Sequence, residues 1–189
     1  MIQGLLLEDE SAAEAVVEEQ IKYYNIDENF DEIKDEMEKY FGESLYAFFT
    51  KSQQMILHSF FVLAKADIAL PEYSVIVSPV FHILDGYILK LIVSSGIIHN
   101  KELVGDYFSF DNLSNRHVLK KEFCGKVSNE DHIRSLEKLY GLYSKYRNPY
   151  SHTTECDFTT QVIEKREKAD EIAQEILLAI KTSYEYWKK

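Results

Sequence analysis

The chain has 189 residues, 46% hydrophobic and 13% aromatic, with only 7 Gly and 3 Pro; this supplies one sizeable core, excludes a disordered chain and suits a mostly helical protein. The net charge of −11 is uneven: residues 1–43 hold 14 of the 32 acidic and 3 of the 21 basic residues, so residues 44–189 are balanced and free to attract phosphate locally. Two cysteines without metal spacing argue against a disulfide framework, and no basic n-region or long apolar run marks a secretory signal, so the expectation is a cytoplasmic protein.

The first predicted helix covers 9–24, with Ala12, Ala15, Val16, Glu19 and Tyr23 at helical spacing. A second places Phe30, Ile33, Met37, Tyr40 and Phe41 on one face and stops at Gly42. These two form an acidic segment, residues 1–43, ahead of a helical domain over 44–189. Ser44 opens a longer helix to about Asp67, carrying Leu45, Phe48, Phe49, Met55, Ile56, Phe60 and Leu63. A very apolar helix runs from about Tyr73 to Gly96; its Pro79, His82, Asp85 and Lys90 suit a buried helix better than a membrane span. Of its histidines and that of the preceding helix, His58 and His82 are read as core.

Residues 97–128 read as loop, with a short helix over "NRHVLKKEF". Ser128 and Asp131 resemble a capping box opening a helix with Ile133, Leu136, Leu139, Tyr140, Tyr143 and Tyr146 on one stripe. A last helix starts at Thr159 and buries Ile172, Ile176, Ile180 and Trp187. The fold class is all-α, a helical bundle with additional acidic amino-terminal helices.

The segment "YSKYRNPYSHTT", residues 143–154, interrupts this regularity. In an unbroken helix Arg147 and His152 lie about 140° apart around the axis. Pro149 has no N–H for the Lys145 carbonyl and disfavours an α conformation at Asn148. The expectation is therefore a helix that ends at Arg147, with His152 on the turn beyond and both side chains converging on one open spot. A guanidinium grips two phosphate oxygens in a fork, and an imidazole moves protons near neutral pH. With RNA the 2′-hydroxyl is itself the nucleophile, and no residue cluster demands a metal or cofactor. Asp85, a carboxylate on an apolar helix, needs a partner; an ion pair to an arginine and a supporting role for Arg147 or His152 both fit.

"RNPYSH" resembles the R-N-x-x-x-H form of the Rx4–6H motif of the HEPN superfamily, and "LPEYSVIVSPVFHILDGYILKLI" resembles the helix of RnlA/LsoA-type toxins (RNase LS) in which an acidic residue precedes a glycine. The likeness covers roughly residues 44–189. It implies a HEPN-like helical bundle and a homodimer with two R-N-x-x-x-H elements facing across a cleft. It also implies metal-independent RNA cleavage leaving a 2′,3′-cyclic phosphate, in a toxin–antitoxin or phage-defence setting with an antitoxin or other restraining partner. By position, Arg147 would hold the scissile phosphate, His152 would be general base or acid, and Asn148 would order the motif. Asp85 stands where that group carries glutamate. Thr154 occupies the place of the tyrosine whose modification silences some HEPN toxins.

RNA contacts are expected of Lys120, Lys121, Lys145 and Tyr150, and a phosphate track of Lys120, Lys121, Lys126, Arg134 and Lys138. DNA is not an expected partner. Two rival readings stand beside the nuclease: a catalytically silent HEPN module binding RNA, a nucleotide or a protein, and a plain helical interaction domain.

Overall fold

A stripe of apolar residues decides which side a helix buries, and side-chain caps at Asn29, Thr50 and Asn129 set where three of the described helices begin. The computed structural model describes residues 10–97, 103–151 and 161–188. The chain forms α1 (Glu10–Tyr23), α2 (Phe30–Phe41), α3 (Glu43–Phe48), α4 (Lys51–Lys65) and α5 (Ser74–Ser94). After a 3-10 turn (Val104–Tyr107) come β1 (Phe108–Asp111), β2 (Arg116–Leu119), α6 (Lys121–Cys124) and α7 (Glu130–Leu142). A π-helical turn (Tyr143–Arg147), α8 (Asn148–Ser151) and α9 (Arg166–Trp187) complete the order.

The mostly helical expectation holds, with α5 at the centre against α4, α7 and α9. Ile76, Ile83, Leu84, Tyr87, Ile88, Leu91 and Ile92 of α5 are fully buried, each such aliphatic side chain contributing about 1.5–3 kcal/mol. Tyr87 shares a hydrogen bond with Ser183 of α9 at 2.9 Å, which satisfies its buried hydroxyl. By length and composition α5 is apolar enough to cross a membrane, yet it is packed inside the bundle. Val17, Ile21, Ile33 and Met37 of the acidic helices lie in the same core as α5.

Several boundaries differ from expectation. On α1 the buried face is Ala13, Val17 and Ile21, while Val16 and Tyr23 are exposed; two stripes share one helical period, and packing on α4 selects between them. The helix expected over 44–67 is broken at Phe49, whose ψ is 147°. Thr50 and Gln53 form a capping box that restarts it as α4. Asn129, not Ser128, caps α7 by accepting from the His132 N–H at 2.9 Å.

Residues 161–165 are not helical, and α9 begins at Arg166 rather than Thr159. Buried Ile163 accepts from the Tyr73 N–H at 2.8 Å, tying this segment to the start of α5. Arg166 then donates to the carbonyls of Leu63, Ala64 and Ala66, satisfying the carboxyl end of α4.

The loop expected over "GDYFSFDNLSNRH" and the first half of the short helix expected over "NRHVLKKEF" are instead an antiparallel hairpin, pairing Phe108 with Leu119 and Asp111 with Arg116, while the second half of that helix is α6. The Asp111 carboxylate accepts from the N–H groups of Leu113 and Ser114 and from the Ser114 hydroxyl, closing the turn. Asn115 completes it at φ 51°, a left-handed conformation asparagine tolerates.

Candidate functional site

Pro149 shapes the chain around Arg147 differently from a clean break. The helix widens into the π turn Tyr143–Arg147, and Asn148 to Ser151 continue as one α turn. A π turn absorbs one extra residue, and Pro149 then sits in a first turn, where no N–H is required. Asn148 thus keeps a helical backbone, contrary to the expectation that Pro149 displaces it. Lys145 and Arg147, two positions apart, face nearly opposite directions. Lys145 pairs with Glu175 of α9 at 3.3 Å and lies over the Tyr146 ring. Arg147 faces the other way and joins α5 around a cleft.

That cleft is about 380 Å³ in volume and lined by Ser74, Val75, Ser78, Phe81, His82, Asp85, Arg147 and Tyr150. Its floor is a polar stripe on an otherwise apolar helix: Ser74, Ser78, His82 and Asp85 recur at i, i+4, i+8 and i+11. Pro79 is inside α5 and supplies no N–H to the Val75 carbonyl at the cleft's edge. The Arg147 guanidinium lies 5.4 Å from the centroid of the Tyr143 ring, a cation–π arrangement that orients it.

Asp85 is the most perturbed group here. Burial pushes its carboxyl above the usual range, while the positive charges of Arg147 and His82 oppose that rise. Its Oδ1 is buried and has no hydrogen-bond partner among the described residues. A buried acceptor left unmade is costly, and it marks a place for a donor. Gly86 beside it lets α4 approach: a Cβ there would stand 2.7 Å from Gln53 Nε2.

Residues 29–154 match the family described as "RNase LS, bacterial toxin DBD domain", from α2 through the "RNPYSH" segment. The chain belongs to this family. Its fold resembles the crystal structure of Escherichia coli toxin LsoA in complex with T4 phage antitoxin Dmd, with a TM-score of 0.76 and 15% sequence identity. The superposition covers 92% of this chain and 67% of the LsoA chain. No curated protein matches by sequence.

Within this toxin DBD domain, Arg147, Asp85 and Tyr150 are brought together at the cleft. His152 lies outside the described residues, and Asn148 is placed by its backbone alone. Lys145 is turned away to α9. Lys120, whose ammonium donates to the Asp106 carbonyl, and exposed Lys121 do not line the cleft. His58 is buried as expected, whereas His82 is exposed in the cleft rather than in the core. The three-residue spacing of His82 and Asp85, and the four-residue spacing of Ser74, Ser78 and His82, are the signals that place them on one face.

Proposed function

We propose that this domain is the RNA-cleaving part of an RNase LS-type toxin. The carrying observation is the cleft shared by Arg147 and Asp85, whose desolvated Oδ1 has no hydrogen-bond partner among the described residues. Arg147 holds the scissile phosphodiester through its non-bridging oxygens and stabilises the charge that builds there. His152, five residues on in the chain, is the proton carrier of the "RNPYSH" segment. The 2′-hydroxyl loses its proton to a base, its oxygen bonds to phosphorus, and the 5′-oxygen leaves with a proton, giving a 2′,3′-cyclic phosphate. Asp85 orients Arg147 or His152 through the acceptor left open at Oδ1.

No metal takes part in this scheme, because the substrate supplies its own nucleophile and Arg147 supplies the positive charge. The working form is a homodimer with two such elements across one cleft, as the HEPN resemblance implies. A partner protein restrains it; the similar LsoA structure is itself a complex with an antitoxin.

The deciding experiment is cleavage of a single-stranded RNA by wild type, Arg147→Ala and His152→Ala, with product ends analysed. Cyclic phosphate ends, full activity in EDTA and loss in both variants are expected. An all-DNA oligonucleotide, which has no 2′-hydroxyl, stays intact. Activity abolished by EDTA, or undiminished in His152→Ala, would sink the mechanism. An inert wild type that still binds RNA would favour a silent binding module instead.

A further inference from the structure

We propose that the groove between the β1–β2 hairpin and α7 is a subsite for single-stranded RNA, holding the strand away from the scissile linkage. It deepens the nuclease reading above and rests on it for the identity of the nucleic acid.

The groove is about 330 Å³ and combines two kinds of group that seldom meet by core packing. Arg116, Arg134 and Lys138 supply positive charge, and Phe110 supplies an aromatic face that is 50% exposed. The hairpin register sets Phe110 opposite His117, with Arg116 at the next position of β2 near the turn, and all three line the groove. Glu137 is the groove's carboxylate, and it is engaged: one oxygen accepts from the Leu119 N–H at 3.1 Å, and the other lies 3.9 Å from Arg116. Arg134 pairs with Glu130 and Asp131 on the exposed side of α7. Lys138 has no carboxylate in ion-pair reach among the described residues.

A strand of RNA offers both complements at once, phosphates for the cations and unstacked bases for the ring. An acidic peptide would match the charge and leave Phe110 unused. The tyrosines of this region do not serve as stacking platforms, since Tyr140 and Tyr143 are buried. They do something else. Phe110 meets His117 at 5.2 Å, His117 meets Tyr140 at 5.0 Å, and Tyr140 stacks on Tyr143 at 5.5 Å. The Arg147 guanidinium sits 5.4 Å beyond, over Tyr143. A run of ring contacts thus links the groove to Arg147 at the cleft.

The test measures binding of the full chain to a fluorescent single-stranded oligonucleotide of about a dozen 2′-O-methyl nucleotides, a length within reach of known single-strand sites. The methyl groups block the 2′-nucleophile, so nothing is consumed. Lys138→Glu should weaken binding about tenfold and lower the slope of log affinity against log salt by about 0.7, one phosphate contact on a single strand. Phe110→Ala should weaken it about tenfold with the salt slope unchanged, the signature of lost stacking. Wild-type affinity in both variants, or displacement of the RNA from wild type alone by an equal concentration of polyglutamate, overturns the subsite. A chain that binds through Lys138 and Phe110 yet cleaves no RNA keeps the subsite and loses the nuclease reading. A chain that cleaves RNA while both variants bind normally does the reverse.

Discussion

Two desolvated ionisable groups sit on neighbouring helices, and they have opposite fates. His58 on α4 is buried at the edge of another cleft: its Nε2 shares a hydrogen bond with the Tyr46 hydroxyl at 3.2 Å, Phe30 lies edge-on to its ring, and its Nδ1 has no partner among the described residues. Burial, helped by the charge of Lys34, holds its imidazole down at about 4, so it stays neutral. Asp85 on α5 is also desolvated, but it opens onto a cleft with the Arg147 guanidinium close by. Burial against a neutral partner makes His58 part of the core. Burial beside opposite charge with an open side makes Asp85 available for work, which is the pattern expected of a functional site.

The largest break in this comparison should come from Arg147→Ala. RNA cleavage should fall by about 10²–10³-fold, the usual loss when one charge-stabilising donor is removed, while the melting temperature changes little. Single-turnover rates beside a thermal melt check both halves.

Next in size is the pH response of the core. The folded value of His58 is depressed below its ordinary 6.5, so the unfolded chain binds more protons between the two values. Its contribution to stability is therefore complete above pH 6.5 and is lost as pH falls toward 4, by about 3 kcal/mol. His58→Leu should flatten that part of a urea-midpoint profile measured from pH 4 to 7.

Asp85 carries the opposite sign. Its folded value lies above the ordinary 3.8, so its cost to stability appears as pH rises through that range and is complete near neutrality. Asp85→Asn should raise the melting temperature at pH 7, with the difference shrinking toward pH 4. Cleavage should fall roughly tenfold or more in the same variant, in keeping with a group that positions its neighbours. A variant both less stable and fully active would reverse the distinction drawn from His58.

The smallest effect concerns the support behind Asp85. A methyl at Gly86 meets the Gln53 amide, whose Oε1 accepts from the Thr50 N–H at 2.9 Å in the α4 capping box. Gly86→Ala should loosen that cap at a cost of about 1 kcal/mol, offset by a similar gain from replacing a glycine inside a helix, so the urea midpoint should barely move.

The stripes on α2 and α7 were legible in the sequence because their apolar residues recur at a single period that only one face satisfies. On α1 the residues Ala12, Ala15 and Val16 competed with Ala13 and Val17, and local pattern has no means to choose between them. The β1–β2 hairpin was hidden because two four-residue strands alternate too briefly, and its turn depends on one aspartate carboxylate. At the cleft, Arg147 and Asp85 were readable as candidates, one from "RNPYSH" and one from a carboxylate on an apolar helix. His82 was not: a histidine beside Phe81 and Ile83 looks like core until the rotation of α5 against the π turn places it outside.

Local chemistry by itself determined the helical class, most of the buried faces and the chemical types gathered around residue 147. Those follow from periodicity and from what proline, asparagine and threonine do to the nearest backbone groups. Only the packed tertiary structure decided that Asp85 faces Arg147 while Lys145 turns to Glu175, and that Phe110 and Lys138 share a groove. Such meetings depend on how α5, α7, α9 and the hairpin rotate against one another, and that rotation is fixed by the summed burial of many side chains rather than by any short stretch of sequence.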